Sequence, residues 1–366
     1  MNRPLHGGNL NWAANVGGCP VSLLMDFSAS INPLGTPKTA IASIIENTSQ
    51  LSVYPDPEYA DLRSHLAKYH KIDHKFILPG NGSAELLTWA SRELAQQKFT
   101  YLITPAFSDY ARALNAFDGK RYPCPLPLTA WIDKQRVAPT SRYSQLLKLP
   151  ISLSPHHESG LLLNNPHNPT GKLWTREEIL PYLRVFDLVV IDEAFMDFLM
   201  PSEEQSLISL IGEYPNLVIL RSLTKFYSLP GLRIGYAIAH PERLQRWQKW
   251  RDPWSVNALA AVATQAVLQD QEFQQQTWDW LSTARSRLFE QLQAIPGLQP
   301  YPSAANYHLV KTEISATELQ EKLLTNYQIV IRDCLSFPEL GDRYFRIAVR
   351  LPAENDRLVE AITAMV

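Results

Sequence analysis

Short apolar runs alternate with helical patterns through the centre of the chain. The runs lie at residues 101–104, 161–163, 188–191 and 217–220. Between them, apolar residues recur every three to four positions, for example over 84–95 and 175–186. Strands that are covered on both faces are apolar at consecutive positions, whereas half-exposed strands alternate. The pattern therefore predicts an α/β fold with a mostly parallel sheet and helices on both faces, a three-layer α/β/α arrangement.

The C-terminal third has a different pattern. We predict helices and strands in the order helix, helix, long helix, strand, helix, strand, strand, helix, at 241–251, 256–268, 271–295, 307–310, 317–326, 329–331, 344–349 and 352–365. Its last 70 or so residues would form a compact α+β unit. We expect a large domain at 36–270, a small C-terminal domain at 271–366, and an N-terminal arm at 1–35 that turn-forming clusters predict to be loop.

Composition excludes several classes of protein. The 366 residues are 45% hydrophobic and 19% charged, which is typical of a folded chain. A net charge of −2 leaves no basic excess for nucleic acid. No apolar run approaches the roughly 20 residues of a membrane span, and residues 1–18 are too polar for a signal peptide. The distant cysteines Cys19, Cys124 and Cys334 predict free thiols in a reducing cytoplasm and no metal site.

Polar clusters follow three of the apolar runs. They are Asn168-Pro-Thr-Gly171, Asp192 and Ser222-Leu-Thr-Lys225. Ligands of open α/β sheets bind beyond the carboxyl ends of the strands. Each cluster alone is common at a strand end, so the prediction of a binding site depends on finding all three in this order.

A glycine-rich turn offers a further candidate site. Gly80-Asn-Gly-Ser-Ala84 precedes the helical pattern that begins near Ala84. The first N–H groups of a helix have no partner within the helix, and the helix dipole is positive there. The turn therefore predicts a site for an anion such as a phosphate, although many such turns only begin a helix.

These motifs, with Arg233 eight residues after Lys225, resemble those of the fold-type-I pyridoxal-phosphate (PLP) enzymes, and most nearly those of the histidinol-phosphate aminotransferase group. Within that group, the two ends of the chain are similar to the threonine-phosphate decarboxylases of cobalamin biosynthesis. The similar stretches are His6-Gly-Gly-Asn9 and residues 26–35, 54–57, 221–227, 230–233, 253–260 and 344–350. The resemblance covers nearly the whole chain and is weakest at 122–157.

The resemblance implies PLP as the cofactor and two catalytic residues. Lys225 would be the amine that condenses with the cofactor aldehyde. Asp192 would pair with the pyridine nitrogen and keep it protonated, which makes the ring a stronger electron sink. The other cofactor contacts would be Asn168 on the ring oxygen, Phe107 on the ring face, Tyr54 from the neighbouring subunit, and Gly82, Ser83, Ala84, Ser222, Thr224 and Arg233 on the phosphate.

The resemblance also assigns residues to a substrate with two anionic groups. Arg346 would bind the α-carboxylate as a two-pronged fork, and Arg332 with His6 would contact the substrate phosphate. Gly7, Ser30 and Asn168 complete the expected substrate site. Two positions depart from relatives: Ser30 stands where the decarboxylases usually have asparagine, and Phe195 where the aminotransferases have tyrosine.

The implied activity is decarboxylation of L-threonine O-3-phosphate to (R)-1-aminopropan-2-yl phosphate, in a homodimer with shared active sites and no nucleic-acid or membrane partner. A histidinol-phosphate aminotransferase needs the same cofactor residues and remains the alternative, because motifs do not show which bond at the substrate Cα breaks. A catalytically silent protein of this fold is a third reading. The intact set of Lys225, Asp192, Asn168 and Arg233 argues against it.

Overall fold

The computed structural model describes residues 3–128, 149–153 and 156–365. Its strands, numbered along the chain, are β1 Met25–Asp26, β2 Ile77–Asn81, β3 Phe99–Thr104, β4 Arg121–Pro125, β5 His156–Asn164, β6 Phe186–Asp192, β7 Leu217–Ser222, β8 Ile234–Ala239, β9 Leu298–Pro300, β10 Tyr307–Thr312, β11 Ile329–Val330, β12 Arg332–Asp333 and β13 Tyr344–Ala348. The α-helices are Leu10–Gly17, Lys38–Glu46, Ala60–His70, Gly82–Leu94, Ser108–Asn115, Arg176–Ile179, Pro241–Gln248, Ala258–Gln269, Gln271–Gln293, Ala316–Tyr327 and Pro352–Thr363.

A seven-stranded sheet forms the centre of the fold. Its strand order is β2-β8-β7-β6-β5-β3-β4. The neighbours from β7 to β4 are all parallel, whereas β8 is antiparallel to both β2 and β7. The predicted mostly parallel sheet is confirmed. The parallel strands end at one common edge, and the polar clusters of the sequence lie there.

The central strands are buried on both faces. On β5, Leu161 and Leu163 pack into one apolar cluster and Leu162 into another. On β6, Val189 and Val190 divide between the same two clusters. Successive side chains of a strand point to opposite faces, so a strand between two helical layers is apolar at every position. This burial explains the continuous apolar runs and confirms the three-layer arrangement.

A second, antiparallel sheet lies in the C-terminal part. Its order is β12-β13-β10-β9, and its register places Arg332 directly opposite Arg346. The larger apolar cluster continues from the large sheet into this unit without a break. Asp270, at the expected domain boundary, caps the helix Gln271–Gln293 by accepting a hydrogen bond from the Phe273 N–H at 3.0 Å. The division into 1–35, 36–270 and 271–366 stays a prediction.

The N-terminal arm is not loop throughout, contrary to the prediction. It contains the helix Leu10–Gly17, whose N-cap Asn9 accepts a hydrogen bond from the Trp12 N–H at 3.0 Å. The helix ends at Gly18, which has a left-handed φ of 62°. Asparagine before a helix and glycine after it are ordinary boundary signals. Both signals are present in the sequence, and the helix forms between them despite the turn-forming clusters nearby.

Two other elements differ from the prediction. The helix expected over 175–186 is α-helical only at Arg176–Ile179 and continues as a 3-10 turn at Leu180–Arg184, because Pro181 has no N–H for an α-helical bond. The strand expected at 329–331 is two strands: β11 pairs with β1, and β12 pairs with β13. The chain therefore changes sheets at Ile331.

Most of the irregular stretch predicted at 122–157 lies outside the described residues. Within the part of the chain that the structure describes, no helix is both long enough and apolar enough to cross a membrane. The three cysteines are free; Cys124 and Cys334 are buried, and Cys19 is half-buried.

Candidate active site

The three polar clusters meet at the carboxyl edge of the large sheet. Asp192 is the last residue of β6, Ser222 is the last of β7, and Asn168 lies four residues beyond β5. All three are buried. The link between β5 and β6 is Asn164, whose side chain donates to the Asp192 carbonyl at 2.7 Å and accepts from the Asn168 N–H at 2.6 Å. One amide thus fixes two of the predicted site residues relative to each other.

Asp192 accepts hydrogen bonds on both carboxylate oxygens. The Tyr110 hydroxyl donates to Oδ2 at 2.7 Å, and the Ala194 N–H donates to Oδ1 at 3.0 Å. Burial raises the pKa of Asp192, while the Tyr110 hydrogen bond and the charge of Lys225 lower it. A buried carboxylate with these partners can pair with a cationic ring nitrogen.

Tyr110 was not identified from the sequence. It lies in the first turn of the helix Ser108–Asn115, three residues after Phe107. Residues three apart share a helix face, and the two rings meet edge to face with centroids 5.6 Å apart. The only signal in the sequence was the three-residue spacing from Phe107. That spacing does not reveal that the Tyr110 hydroxyl bonds to β6, about 80 residues further along the chain.

Lys225 lies in the loop after β7, with its Nζ 5.8 Å from the centroid of the Phe195 ring. Burial lowers the pKa of Lys225, and the nearby cations Arg233 and Arg346 lower it further; Asp192 opposes them. A lysine with a lowered pKa is more often neutral at physiological pH, and the neutral amine is the nucleophile that attacks an aldehyde.

The start of the helix Gly82–Leu94 forms a cup closed by Arg233. Gly82 has a φ of 73°, and a Cβ there would lie 2.6 Å from the Arg233 guanidinium. Ser222 pairs in register with Gly235, where a Cβ would lie 2.5 Å from the Ser83 nitrogen. The two glycines therefore allow a helix N-terminus, an arginine and a strand end to meet.

The cup has the donors that a phosphate requires. The Ser222 and Thr224 hydroxyls lie 2.7 Å apart, and Ser222 borders the cup through its register with Gly235. Arg233 donates to the Pro230 carbonyl at 3.1 Å and has no carboxylate within ion-pair distance among the described residues. A helix N-terminus, a guanidinium and two hydroxyls together fit a doubly charged phosphate.

Two further arginines lie side by side at the edge of the small sheet. Arg332 and Arg346 face each other in register and are 6% and 4% exposed. Arg332 donates to the Ser336 hydroxyl at 3.1 Å and to the Leu5 carbonyl at 3.3 Å. Neither arginine forms an ion pair with a described carboxylate.

Among the described residues, little negative charge compensates these two arginines. Burial and the charge of Arg346 lower the pKa of Arg332 to about 9. Burial also lowers the pKa of Arg346, whose Nε has no hydrogen-bond partner in the described structure. Burying unpaired cations is costly. The pair therefore indicates a site for a ligand that brings negative charge.

Asn168 connects this cation pair with the residues around Asp192. Its Oδ1 accepts a hydrogen bond from Arg346. The amide Nδ2 is therefore the group that Asn168 can present to a ligand oxygen. This orientation agrees with the predicted contact to the cofactor ring oxygen and with its second predicted role beside the substrate.

The N-terminal arm brings His6 into this region. The His6 and Phe107 rings lie 5.4 Å apart between centroids. Burial and the charge of Arg332 lower the pKa of His6. A Cβ on Gly7 would lie 2.1 Å from the Ser28 carbonyl oxygen, so only glycine allows the arm to pack this closely. The structure thus brings the predicted residues His6, Gly7, Phe107 and Arg332 together.

Ser30 and Tyr54 are the remaining predicted residues. Ser30 is buried, and its hydroxyl has no partner in the described structure; its carbonyl accepts from the Asn306 side chain at 3.1 Å. Tyr54 is different because it is 80% exposed, with its ring 4.7 Å from that of Trp254. Its predicted contact with a cofactor in the neighbouring subunit stays a prediction.

Comparison with known sequences gives a consistent picture. The family model for class I and II aminotransferases matches residues 23–362. The threonine-phosphate decarboxylase of Salmonella typhimurium is 37% identical over 362 residues, which cover 98% of this chain and 95% of that protein. The adenosylcobalamin biosynthesis bifunctional protein CobDQ of Leptospira interrogans is 30% identical over 99% of this chain, a match that covers 41% of the longer protein.

Solved structures match the same fold over nearly the whole chain. The histidinol-phosphate aminotransferase of Clostridium acetobutylicum superposes with a TM-score of 0.81 at 27% identity, covering 93% of this chain and 99% of that one. The L-threonine-O-3-phosphate decarboxylase of Porphyromonas gingivalis superposes with a TM-score of 0.78 at 25% identity, covering 93% and 98%.

Proposed function

The chain belongs to the class I and II aminotransferase family, and we propose that it is a PLP-dependent decarboxylase that converts L-threonine O-3-phosphate into (R)-1-aminopropan-2-yl phosphate and CO2 during cobalamin biosynthesis. The observation that carries the proposal is the buried pair of Arg332 and Arg346, which have no described carboxylate partner. A substrate with a carboxylate and a phosphate supplies an anion for each. The 37% identical decarboxylase relative supports the same reaction.

The residues at the carboxyl edge of the large sheet fit PLP. Lys225 would hold the aldehyde carbon, Asp192 the ring nitrogen, and Asn168 the ring oxygen, with Phe107 against the ring face. The phosphate would be bound by Gly82, Ser83, Ala84, Ser222, Thr224 and Arg233. When bound, PLP supplies an electron sink for the electron pair that remains at the substrate Cα as CO2 departs.

The surrounding residues would control charge and proton position. Tyr110 keeps a hydrogen bond on Asp192 Oδ2 and so favours the carboxylate form that a protonated ring nitrogen requires. The lowered pKa of Lys225 favours the neutral amine, which is the form that can accept a proton. After CO2 leaves, Lys225 or Tyr54 would return a proton to the substrate Cα.

The arginine pair would orient the substrate. Arg346 would hold the α-carboxylate, and Arg332 with His6 would hold the phosphate. The arm would cover the substrate phosphate, since its Leu5 carbonyl already contacts Arg332. Fixing both ends of the substrate leaves little freedom of rotation about the Cα, which is what selects the bond to be broken.

The proposal includes a cytoplasmic homodimer with shared active sites. Tyr54 and Trp254 are 80% and 45% exposed, and Leu51 and Val53 are exposed beside Tyr54 in the sequence. Exposed apolar residues that occur together are typical of an interface. A second copy of the chain that covers this surface would bring Tyr54 toward its cofactor. Free rather than paired cysteines support the reducing compartment.

The deciding experiment measures products from the purified, PLP-loaded chain. We expect CO2 and aminopropanol phosphate from L-threonine O-3-phosphate, with no keto acid. Faster turnover of histidinol phosphate with 2-oxoglutarate would favour the aminotransferase alternative, for which the Clostridium structure provides a similar fold. A protein that binds PLP and turns over neither substrate would point to a silent member of the family.

A further inference from the structure

Asn32 lies in the arm and has no role in the site described so far. It is 2% exposed. Its N–H donates to the Lys225 carbonyl at 3.0 Å, and its side-chain Nδ2 donates to the Phe226 carbonyl at 2.8 Å. Its own carbonyl accepts from the Ser228 hydroxyl at 2.8 Å. Three groups of one residue therefore bond to three residues, Lys225, Phe226 and Ser228, of the loop that carries Lys225.

The Lys225 loop needs these bonds because it has left the sheet. β7 ends at Ser222, and Ser228 has a left-handed φ of 51°, which is unfavourable for a residue other than glycine. Buried carbonyls outside regular structure need partners elsewhere. Asn32 provides them for Lys225 and Phe226, and the Thr36 hydroxyl provides one for Ser228 at 2.9 Å.

The same amide also reaches the C-terminal part of the chain. Asn32 Nδ2 donates to the Thr277 hydroxyl at 2.8 Å, on the helix Gln271–Gln293. Asn32 Oδ1 accepts from the Leu34 N–H at 3.0 Å, which turns the amide so that Nδ2 faces the Phe226 carbonyl. An amide side chain is needed here because it combines an acceptor with two donor hydrogens.

The arm continues from Asn32 to the substrate cations. Four residues before Asn32, the Ser28 carbonyl accepts from Arg346 at 3.5 Å, and the Ser30 carbonyl accepts from Asn306 at 3.1 Å. One short segment, residues 28–32, thus contacts the arginine for the carboxylate at one end and the loop of the lysine at the other. The segment therefore links the two groups through five residues of backbone.

We propose that Asn32 is a positioning residue for Lys225, holding the backbone of the lysine loop, and with it the amine, in its place beyond the end of β7. The inference rests on the proposed role of Lys225 as the cofactor lysine. Asn32 touches neither cofactor nor substrate in this proposal and acts only through the Lys225–Ser228 backbone.

Three variants and one matched control separate this role from general stability. Asn32→Ala removes the side-chain bonds, and Asn32→Asp places a carboxylate oxygen against the Phe226 carbonyl, where two acceptors repel. Ser228→Ala removes only the hydroxyl that bonds the Asn32 carbonyl. The control is Asn216→Ala, because Asn216 Nδ2 also donates two hydrogen bonds, here to the carbonyls of Leu183 and Phe186 at 2.9 and 2.8 Å, but at the opposite end of β7.

The first measurement is amide hydrogen exchange in the chain without cofactor. Exchange of amides 224–229 should be at least about tenfold faster in Asn32→Ala and Asn32→Asp, while amides of β7 stay close to wild type. The second measurement uses the holoenzyme and follows its absorbance and its kinetics. The pH midpoint of the cofactor's visible absorbance should shift, and kcat should fall at least about 30-fold with KM nearly unchanged. Asn216→Ala should show none of these changes.

Unchanged exchange at 224–229, an unshifted absorbance midpoint, or equal effects in Asn216→Ala would overturn the inference. If the Asn32 variants do not fold, Ser228→Ala is the deciding variant. The inference then requires that amides 224–229 exchange faster in Ser228→Ala than in Asn216→Ala. Borohydride trapping of wild type distinguishes the two proposals. A cofactor adduct on another lysine refutes the proposed role of Lys225, whereas an adduct on Lys225 with Asn32 variants that behave like the control refutes only the positioning role.

Discussion

At the scale of single residues, the charge of Asp192 is the property on which the proposed chemistry depends most. Asp192→Asn keeps the size of the side chain and removes its charge. We expect the variant to bind PLP and to lose at least about two orders of magnitude in kcat, roughly 3 kcal/mol of transition-state stabilisation. Cofactor absorbance checks that the variant binds PLP, and single-turnover rates check the loss of activity. Near-normal turnover would show that another group holds the ring nitrogen.

Tyr110 tunes that charge, so its removal should change the pH profile more than the maximal rate. The Tyr110 hydrogen bond lowers the pKa of Asp192, which burial raises. In Tyr110→Phe the pKa of Asp192 should rise further, and the acidic limb of the kcat profile should move to higher pH. Rates of wild type and variant from pH 5.5 to 8.5 test this. A uniform loss at every pH would mean that Tyr110 only packs.

Arg332 and Arg346 should differ in which substrate they affect. Arg346→Ala removes the carboxylate contact that L-threonine O-3-phosphate and L-threonine share, so kcat/KM should fall by a similar factor for both. Arg332→Ala removes a phosphate contact and should lower kcat/KM for the phosphorylated substrate alone, by about 100-fold. The ratio of the two kcat/KM values is the measurement. An unchanged ratio in Arg332→Ala would show that another group binds the substrate phosphate.

At the scale of elements, the exposed apolar segment around Tyr54 is the surface on which the proposed homodimer depends. The Tyr54 ring lies on the exposed surface, with its centroid 4.7 Å from that of the Trp254 ring. If Tyr54 completes the site of the neighbouring copy, Tyr54→Ala and Lys225→Ala should each be inactive. A mixture of the two should regain part of the activity, through hybrid dimers with one intact site. Absence of recovery despite proven subunit exchange would refute the shared site.

At the scale of the whole molecule, His167 links folding to pH. It is buried, with Nδ1 2.8 Å from the Thr170 hydroxyl, and burial lowers its pKa to about 3. The unfolded chain has an ordinary histidine pKa near 6.5. The stabilisation from His167 is therefore full above pH 6.5 and is lost as the pH falls below it, by about 1.4 kcal/mol per pH unit.

Urea unfolding at pH 7.5, 5.5 and 4.5 tests this link. In His167→Asn the free energy of unfolding should depend on pH less steeply than in wild type. The difference in slope below pH 6.5 should correspond to the uptake of one proton on unfolding. His74→Asn, at an exposed position, is the control for the effect of a histidine-to-asparagine change itself. Equal slopes in wild type and His167→Asn would show that His167 is protonated in the folded chain.

The sequence by itself determined the layered architecture and, through the resemblance of its motifs to a known family, the cofactor expected at the site. Burial on both faces makes a strand apolar at every position, so runs such as 188–191 indicate the central sheet directly. The polar residues that follow them, Asp192 and Lys225 among them, are local in sequence and have the chemical types that PLP requires. Caps such as Asn9 are equally local, and attention to them predicts the helix in the arm.

Only the tertiary structure decided which distant residues meet. The antiparallel direction of β8, the register that sets Arg332 opposite Arg346, the Tyr110 hydroxyl on Asp192 and the bonds from Asn32 to the Lys225 loop all join segments far apart in the chain. Hydrophobic periodicity indicates which residues are buried, but it does not indicate which residues they pack against. These contacts are determined by strand order, register and the packing of the arm, which emerge only when the whole chain folds.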